Sequence, residues 1–199
     1  MSTAVVAVHF QNDVLHPDGK IRAGFARRDP ARSALLKTAR RLLDGARTRG
    51  IPVVSVAIEF RRGHACVVQN SPMFRGVVQR GALVAGSWGA EFHSELRPRR
   101  GELVVRHSRI NAFYGSDLEL VLSTLGVRRL VLAGVATHSS VEHTARHAAD
   151  LGFEVLVAAD ACAAADPELH ATGLRILALH VERVATVDEI LTQLDGGDA

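Results

Sequence analysis

The residues best suited to chemistry in this 199-residue chain are a serine and two histidines, each at the end of an apolar run. Ser140 lies in the segment 134–146, which follows the apolar run 130–133. A strand that turns directly into a helix aims backbone N–H groups and a short side chain at one point, beside the positive end of the helix dipole. His9 and His107 follow two other apolar runs. These residue types suggest a serine nucleophile with an imidazole as its general base.

Apolar runs of strand length recur along the chain, and most are continuous and β-branched. They lie at 4–8, 53–58, 103–105, 130–133, 155–158 and 184–187. Amphipathic stretches with helix punctuation alternate with them. Asp29 and Pro30 open one such helix and Gly50 ends it, while Thr186 and Glu189 have the spacing of a capping box. The alternation predicts an α/β fold with a parallel sheet covered by helices on both faces.

The predicted sheet brings the candidate residues to one edge. We expect a single three-layer α/β/α domain over residues 1–199, with six parallel strands in the order 3-2-1-4-5-6. Such sheets bind ligands at the carboxyl ends of the strands, near the switch point between strands 1 and 4. His9 follows strand 1, His107 follows strand 3 and Ser140 follows strand 4. The glycine-rich interval 60–100 shows no sustained period, which predicts an irregular lid above the strand ends.

Five motifs, in order and spread over nearly the whole chain, resemble the isochorismatase-like (cysteine hydrolase) superfamily. They are VVAVHFQND at 5–13, GSWGAE at 86–91, RINAFYG at 109–115, GVATHSSVEHTAR at 134–146 and ADACA at 159–163. The resemblance implies a Rossmann-like hydrolase that forms a homodimer or homotetramer. The catalytic aspartate, lysine and cysteine of that superfamily are here replaced by His9, His107 and Ser140. The resemblance also implies a cis peptide bond between Val135 and Ala136.

The three replacements are chemically coherent with one another. A carboxylate is a poor base for a serine hydroxyl, whereas a neutral imidazole is a common one. We therefore expect Ser140, His9 and His107 to be catalytic, with the backbone N–H groups of Ala136 and Ser140 binding the oxyanion. Two adjacent imidazoles disfavour double protonation, so one would stay neutral at pH 7 while the other carries charge in place of the lysine.

Three alternatives stay open at this point. Loss of the superfamily's catalytic residues is also typical of a non-hydrolytic enzyme or a pseudoenzyme that only binds a small molecule. Members of the phenazine branch carry serine and protonate an enol ether, a reaction for which His9 would have to be charged. A metal site formed by His9, His107 and His138 is the third. Our prediction is no cofactor and no bound metal.

Several residues of the same motifs are expected to contact the substrate. They are Phe10, Val14, Trp88, Arg109, Phe113, Tyr114 and His138. This set predicts a small cyclic or aromatic metabolite of specialised metabolism, with any carboxylate held by Arg75 or Arg109. We expect Asp13 to be structural, bonding backbone near the start of the sheet.

The composition argues against nucleic acid and membranes as partners of this protein. The net charge is +3, and the arginine pairs are scattered without interleaved aromatic residues, which argues against nucleic-acid binding. The sequence has no run of about 18 apolar residues and no basic, apolar leader, so we expect no membrane span and a cytoplasmic location. Cys66 and Cys162 are too few for a disulfide framework. We expect a loop thiol at Cys66 and a small buried side chain at Cys162.

Overall fold

Six parallel strands form one sheet in the order β3-β2-β1-β4-β5-β6 in the computed structural model, which describes residues 2–65 and 67–196. The strands are β1 (Thr3–Val8), β2 (Val53–Ile58), β3 (Leu103–His107), β4 (Arg129–Val135), β5 (Glu154–Ala163) and β6 (Arg183–Ala185). This order confirms the predicted topology, with the switch point between β1 and β4. The prediction for Cys66 lies outside the described residues.

Helices cover both faces of the sheet. They are α1 (Asn12–Leu15), α2 (Pro30–Thr48), α3 (Pro72–Arg80), α4 (Leu118–Thr124), α5 (Glu142–Asp150), α6 (Pro167–Leu177) and α7 (Val187–Asp195). The predicted cap of α2 is present, since Asp29 accepts a hydrogen bond from the N–H of Ala31. Within residues 2–65 and 67–196, no helix combines the length and apolarity needed to cross a membrane.

The sixth strand is shorter than the sequence predicted. Thr186 and Glu189 form the predicted capping box, and the side chain of Thr186 accepts a hydrogen bond from the N–H of Glu189. Because this cap starts α7 at Val187, the prediction that the strand continues through residue 187 is wrong.

Two hydrophobic cores lie on opposite faces of the sheet. In β1, Val5 and Ala7 pack in the core that contains the inner faces of α2 and α7. Val6 and Val8, which alternate with them, pack in the core beneath α4, α5 and α6. Burial on both faces explains why the strands are apolar without alternation.

The interval 60–100 is more regular than the sequence predicted, and the prediction of irregular structure is wrong for residues 72–80. Those residues form α3, whose first residue is Pro72. The hydroxyl of Ser71 caps the helix, and Gly81 ends it in the left-handed conformation with φ +57°. These caps are readable in the sequence, but the helix is too short to show a sustained period.

The strands β1 and β4 approach closely at their carboxyl ends, where Val8 pairs with Gly134. A Cβ atom at Gly134 would lie 2.4 Å from the carbonyl oxygen of Val8 and 2.7 Å from its Cβ. The φ of Gly134 is +153°, which L side chains rarely adopt. Only glycine lets the two strand ends meet here.

We predict that Gly134→Ala lowers the free energy of unfolding by roughly 4 kcal/mol, because it adds both a steric overlap and backbone strain. Gly50→Ala is the matched control. Gly50 also has positive φ, +66°, but nothing lies within 4 Å of its added Cβ. Gly50→Ala should therefore lower the free energy of unfolding by only about 1–2 kcal/mol. Urea denaturation of both variants measures the difference, and equal costs would contradict the steric explanation.

Candidate active site

The two predicted histidines are in direct contact. His9 follows β1 in the left-handed conformation, with φ +59°, and His107 is the last residue of β3. Their Nε2 atoms lie 2.6 Å apart, and the rings stack with centroids 4.9 Å apart. His9 is 3% exposed and His107 4%. A non-glycine residue with positive φ is strained and is characteristic of functional sites.

Burial keeps both imidazoles neutral. The pKa of His9 is held well below its ordinary value, first by burial and then by repulsion from His107, while a hydrogen bond with the backbone of Val135 partly opposes this. Burial lowers the pKa of His107 to about 4, and its hydrogen bond to the backbone of Asn111 partly opposes that shift. Both shifts disfavour the expected charged ring in place of the lysine, because neither ring reaches enough water to stabilise a proton well.

Ser140 lies in a single π-helical turn, Thr137–Val141, between β4 and α5. The predicted cis peptide bond between Val135 and Ala136 is present at the start of this turn. The N–H of Val141 donates to the carbonyl of Ala136 at 3.2 Å, across five residues. π-Helical turns inside helices are frequent at functional sites.

Helix α6 packs against the turn Thr137–Val141. The Oγ1 of Thr137, which is fully buried, lies 2.8 Å from Nδ1 of His170. A Cβ atom at Gly173 would lie 3.2 Å from the Cα of His138, so α6 packs directly against the backbone of the turn. In the described part of the chain, neither the Ser140 hydroxyl nor the N–H of Ala136 has a hydrogen-bond partner. Both groups are available to a ligand.

Ser140 opens onto a cavity of about 220 Å³, together with His9 and Ala136. Aliphatic side chains form most of its wall: Val14, Ile58, Met73, Val77, Leu83 and Ile110. His107 lines a separate cavity of about 360 Å³ with Glu59 and Arg106. The three residues thus converge through the contact between the two rings, while only His9 and Ser140 share a cavity.

The predicted substrate contacts mostly lie elsewhere. Val14 lines the cavity, but Phe10 is buried in the core and is not part of the cavity wall. Phe113 stacks on His147 with ring centroids 5.2 Å apart, in the core on the other face of the sheet. Tyr114 is 65% exposed. The structure does not bring these aromatic rings to Ser140.

The three other predicted contacts also lie outside the cavity wall. Trp88 is 47% exposed and meets the ring of His16 edge-on. The guanidinium of Arg109 lies over the ring of Phe74, 5.6 Å from its centroid. His138 is exposed and lines a shallow cleft with His143. A motif assigns a residue to a loop, but it does not say which way the side chain turns.

Arg80, which the sequence analysis missed, is the cationic side chain that lines the cavity. It has no acidic partner among the described residues. Once α3 is recognised, its position is readable, since Met73, Val77 and Arg80 have the i, i+4, i+7 spacing of one helix face. Arg75, the arginine predicted from the same segment, bonds the carbonyl of Gln69 outside the cavity.

The structural role predicted for Asp13 is confirmed, since its side chain binds backbone N–H groups. Its carboxylate accepts hydrogen bonds from the N–H of Leu83 at 2.7 Å and of Lys20 at 3.0 Å. Gln11 joins the same region to β2 and to the loop that follows α3, since its amide nitrogen donates to the carbonyls of Ile58 and Ala90. These bonds fix the cavity wall against β1.

The remaining predictions concern metal and thiol chemistry. Over residues 2–65 and 67–196, no group of three or more His, Cys, Asp or Glu side chains is arranged to hold a metal ion. His138, the third ligand considered above, does not join the His9–His107 pair. Cys162 is buried, as predicted, and burial raises the pKa of its thiol to about 12, so it stays protonated.

A three-layer α/β/α domain with a strand-turn-helix at the switch point of its sheet is the architecture of the Rossmann-like hydrolases that the sequence resembles. The chain belongs to the isochorismatase family, a family of hydrolases, because the model of the isochorismatase domain matches residues 3–189. Over 83 residues it is 46% identical to the isochorismatase family protein YecD of Escherichia coli O157:H7. Over 86 residues it is 37% identical to the ureidoacrylate amidohydrolase RutB of Pseudomonas savastanoi. These matches span 42% and 43% of this chain, and less than half of either relative, 44% and 35%.

Solved structures match over nearly the full length. An isochorismatase-like hydrolase from Alkaliphilus metalliredigens superimposes with a TM-score of 0.80 at 26% identity, covering 97% of this chain and 99% of that one. The N-carbamoylsarcosine amidase from Thermoplasma acidophilum gives a TM-score of 0.73 at 26% identity, covering 94% and 98%. The relatives of this chain therefore include amidohydrolases.

The buried histidines should make the fold sensitive to acid. The unfolded chain protonates these rings as the pH falls below 6.5, whereas the folded chain holds His107 neutral down to about pH 4. Stability is therefore fully present above about pH 7 and is lost as the pH falls towards 4, by about 3 kcal/mol for His107 alone. Urea denaturation at pH 7 and at pH 4 measures the free energy of unfolding of wild type and of His107→Gln. Between these pH values, we expect the variant to lose about 3 kcal/mol less than wild type.

Carboxylates also contribute to acid unfolding, so an exposed histidine supplies the control. His180→Gln should follow the wild-type pH dependence. If the free energy of unfolding of His107→Gln fell with pH as steeply as that of wild type, burial would not be holding the His107 ring neutral.

Proposed function

We propose that this protein hydrolyses an amide, ureido or ester bond in a small metabolite, with Ser140 as the nucleophile and His9 as the general base. The observation that carries the proposal is the unpartnered hydroxyl of Ser140, which lines the same cavity as the buried imidazole of His9. The amidohydrolases among its relatives support this bond type. A carboxylate at position 9 would be a weaker base for a hydroxyl than the imidazole is.

The reaction would begin with attack of Ser140 Oγ on the carbonyl carbon as its proton passes to His9. The N–H of Ala136, which lacks a partner in the described part of the chain, supports the predicted oxyanion site, with the N–H of Ser140 as the second predicted donor. The protonated His9 would return the proton to the leaving group as the tetrahedral intermediate collapses. Water would then hydrolyse the acyl group from Ser140.

The cavity supports a substrate with an apolar body and one negative charge. Its volume of about 220 Å³ is below the range of about 300–1,000 Å³ typical of drug-sized ligands. The aliphatic wall suits a cyclic or aromatic body without offering ring stacking, and Arg80 suits a carboxylate. Specialised metabolism, a cytoplasmic location and assembly as a homodimer or homotetramer stay predictions.

We predict that Ser140→Ala abolishes covalent labelling by p-nitrophenyl acetate and lowers its hydrolysis by at least about 10³-fold. Ser139→Ala is the matched control, because Ser139 lines the same cavity. Intact-mass spectrometry should detect one acetyl group on wild type and on the control variant. Hydrolysis that survives Ser140→Ala but not His9→Gln would instead indicate an acid–base reaction without an acyl-enzyme.

We predict that Arg80→Gln lowers kcat/KM for p-nitrophenyl hemisuccinate by about 10- to 100-fold, since a hydrogen bond to a charged group contributes about 1.5–3 kcal/mol. The uncharged analogue p-nitrophenyl butyrate should be hydrolysed as by wild type. Arg75→Gln on the same helix should change neither rate. An equal loss on both esters would mean that Arg80 supports the fold of α3 and does not recognise the carboxylate.

A further inference from the structure

Gly76 is a buried glycine inside α3, at a position where the backbone does not call for a glycine. It lies within the helix Pro72–Arg80 and is not one of the residues with positive φ, so an L residue can adopt its conformation. A glycine inside a helix loses more backbone freedom on folding than alanine does, and it therefore weakens the helix. The physical reason for a glycine at this position lies in the space around it.

The space above Gly76 is occupied by the side chain of Arg80. A Cβ atom added at Gly76 would lie 2.5 Å from Nη1 of Arg80 and 3.8 Å from its Cζ. Both atoms belong to the guanidinium group. Apart from the two chain neighbours and the helix backbone, no other atom of the described residues lies within 4 Å of that Cβ. Gly76 therefore makes room for a guanidinium group and not for a packed strand or helix.

Helix geometry explains why Arg80 reaches this space. Side chains in an α-helix tilt towards its N-terminus, so a long side chain covers the residue four positions before its own. Arg80 follows Gly76 by four residues, and its guanidinium lies back along α3. Met73 and Val77 lie on the same side of the helix, and both line the cavity together with Arg80. The contact with Gly76 thus keeps the guanidinium in the row of side chains that forms the cavity wall.

The guanidinium of Arg80 is available to a ligand in this position. Arg80 is exposed and has no acidic partner among the described residues. Lys20 is the neighbouring cation, and its ammonium group donates to the carbonyl of Gly81 at 2.6 Å. An arginine without a carboxylate partner keeps its N–H fork for a carboxylate from outside. A side chain at position 76 would push this free end of Arg80 outward from the helix.

We propose that Gly76 is a positioning residue, whose missing side chain lets the Arg80 guanidinium lie against α3 and present its N–H groups to the cavity. This inference rests on the proposed function, in which Arg80 binds the carboxylate of the substrate. Gly76 then determines how well the protein distinguishes an anionic substrate from an uncharged one. The effect is on binding, and the bond that is broken stays the same.

Binding of benzoate, compared with that of its uncharged analogue benzamide, tests this role without any turnover. Benzoate has the apolar ring and the single carboxylate that suit the cavity, so NMR titration of wild type should show tighter binding of benzoate. Gly76→Ala should weaken benzoate binding by about 10-fold, because the displaced guanidinium loses its hydrogen bonds to the carboxylate. Benzamide binding should change by less than about 2-fold. Gln79→Ala, on the same helix but outside the cavity wall, is the matched control and should alter neither affinity.

A double-mutant cycle shows whether Gly76 acts through Arg80. Glutamine at position 80 lacks the guanidinium group that occupies the space above Gly76. In the Arg80→Gln background, Gly76→Ala should therefore weaken benzoate binding by less than about 2-fold. A further loss of about 10-fold in that background, or equal losses for benzoate and benzamide, would overturn the proposal. An unchanged benzoate affinity of Gly76→Ala in the wild-type background would overturn it as well.

The stability of Gly76→Ala separates positioning from structural support. Alanine favours the helix and displaces only the free end of a side chain, so the folding equilibrium constant from urea denaturation should rise by up to about 5-fold. A fall of more than about 10-fold would show that Gly76 is needed for packing and would overturn the proposal. Failure of Ser140 to form an adduct would overturn the proposed nucleophile but leave the binding results standing. Wild type that binds benzoate no more tightly than benzamide would overturn the carboxylate site and this inference together.

Discussion

The site depends on the register that β1 keeps with the two strands beside it. Val8 pairs with Val56 of β2 and with Gly134 of β4, so β1 and β4 end side by side. The pairing with β4 is possible only because Gly134 has no side chain at the point where it meets Val8. His9 is the residue that follows the last paired residue of β1, and the turn that carries Ser140 begins three residues after Gly134. The relative positions of His9 and Ser140 are therefore a consequence of backbone hydrogen bonds in the sheet.

Burial also limits the charge that His9 and His107 can carry. The resemblance predicts an aspartate and a lysine at these two positions in related chains, and those opposite charges can compensate each other. Two imidazoles cannot, so the same enclosed position admits them only as neutral rings. Hydrogen bonds with the backbone of Val135 and of Asn111 hold His9 and His107, respectively, in place. Two imidazoles in contact therefore occupy the position where the resemblance predicts an ion pair in related chains.

The sequence predicted the sheet well because its signals are long and repeated. Continuous apolar strands, helix caps such as Asp29 and the spacing of Thr186 and Glu189 each depend on local physics that tertiary packing reinforces. The meeting of His9 with His107 was also predictable, since both end strands of one parallel sheet. The contacts to substrate were not, because they depend on the direction of individual side chains. Phe113 lies in the predicted motif, but its side chain packs in the core against Phe153. Arg80 was not predicted, because the nine residues of α3 are too few to show a helical period in the sequence.

The hydrogen bonds of Asp13 divide the cavity wall into a fixed part and an exchangeable part. A Cβ atom at Gly89 would lie 2.1 Å from the Asp13 carboxylate, which also accepts a hydrogen bond from the backbone of Leu83, so Asp13 fixes the chain at these two points after α3. Helix α3 sits between Ser71 and Gly81 and is free of that network along its inward face. Substitutions at Met73 and Arg80, which are exposed side chains of this helix that line the cavity, would therefore break no hydrogen bond of Asp13. The shape and charge of the cavity can then change while His9, Ser140 and the sheet that aligns them keep their positions.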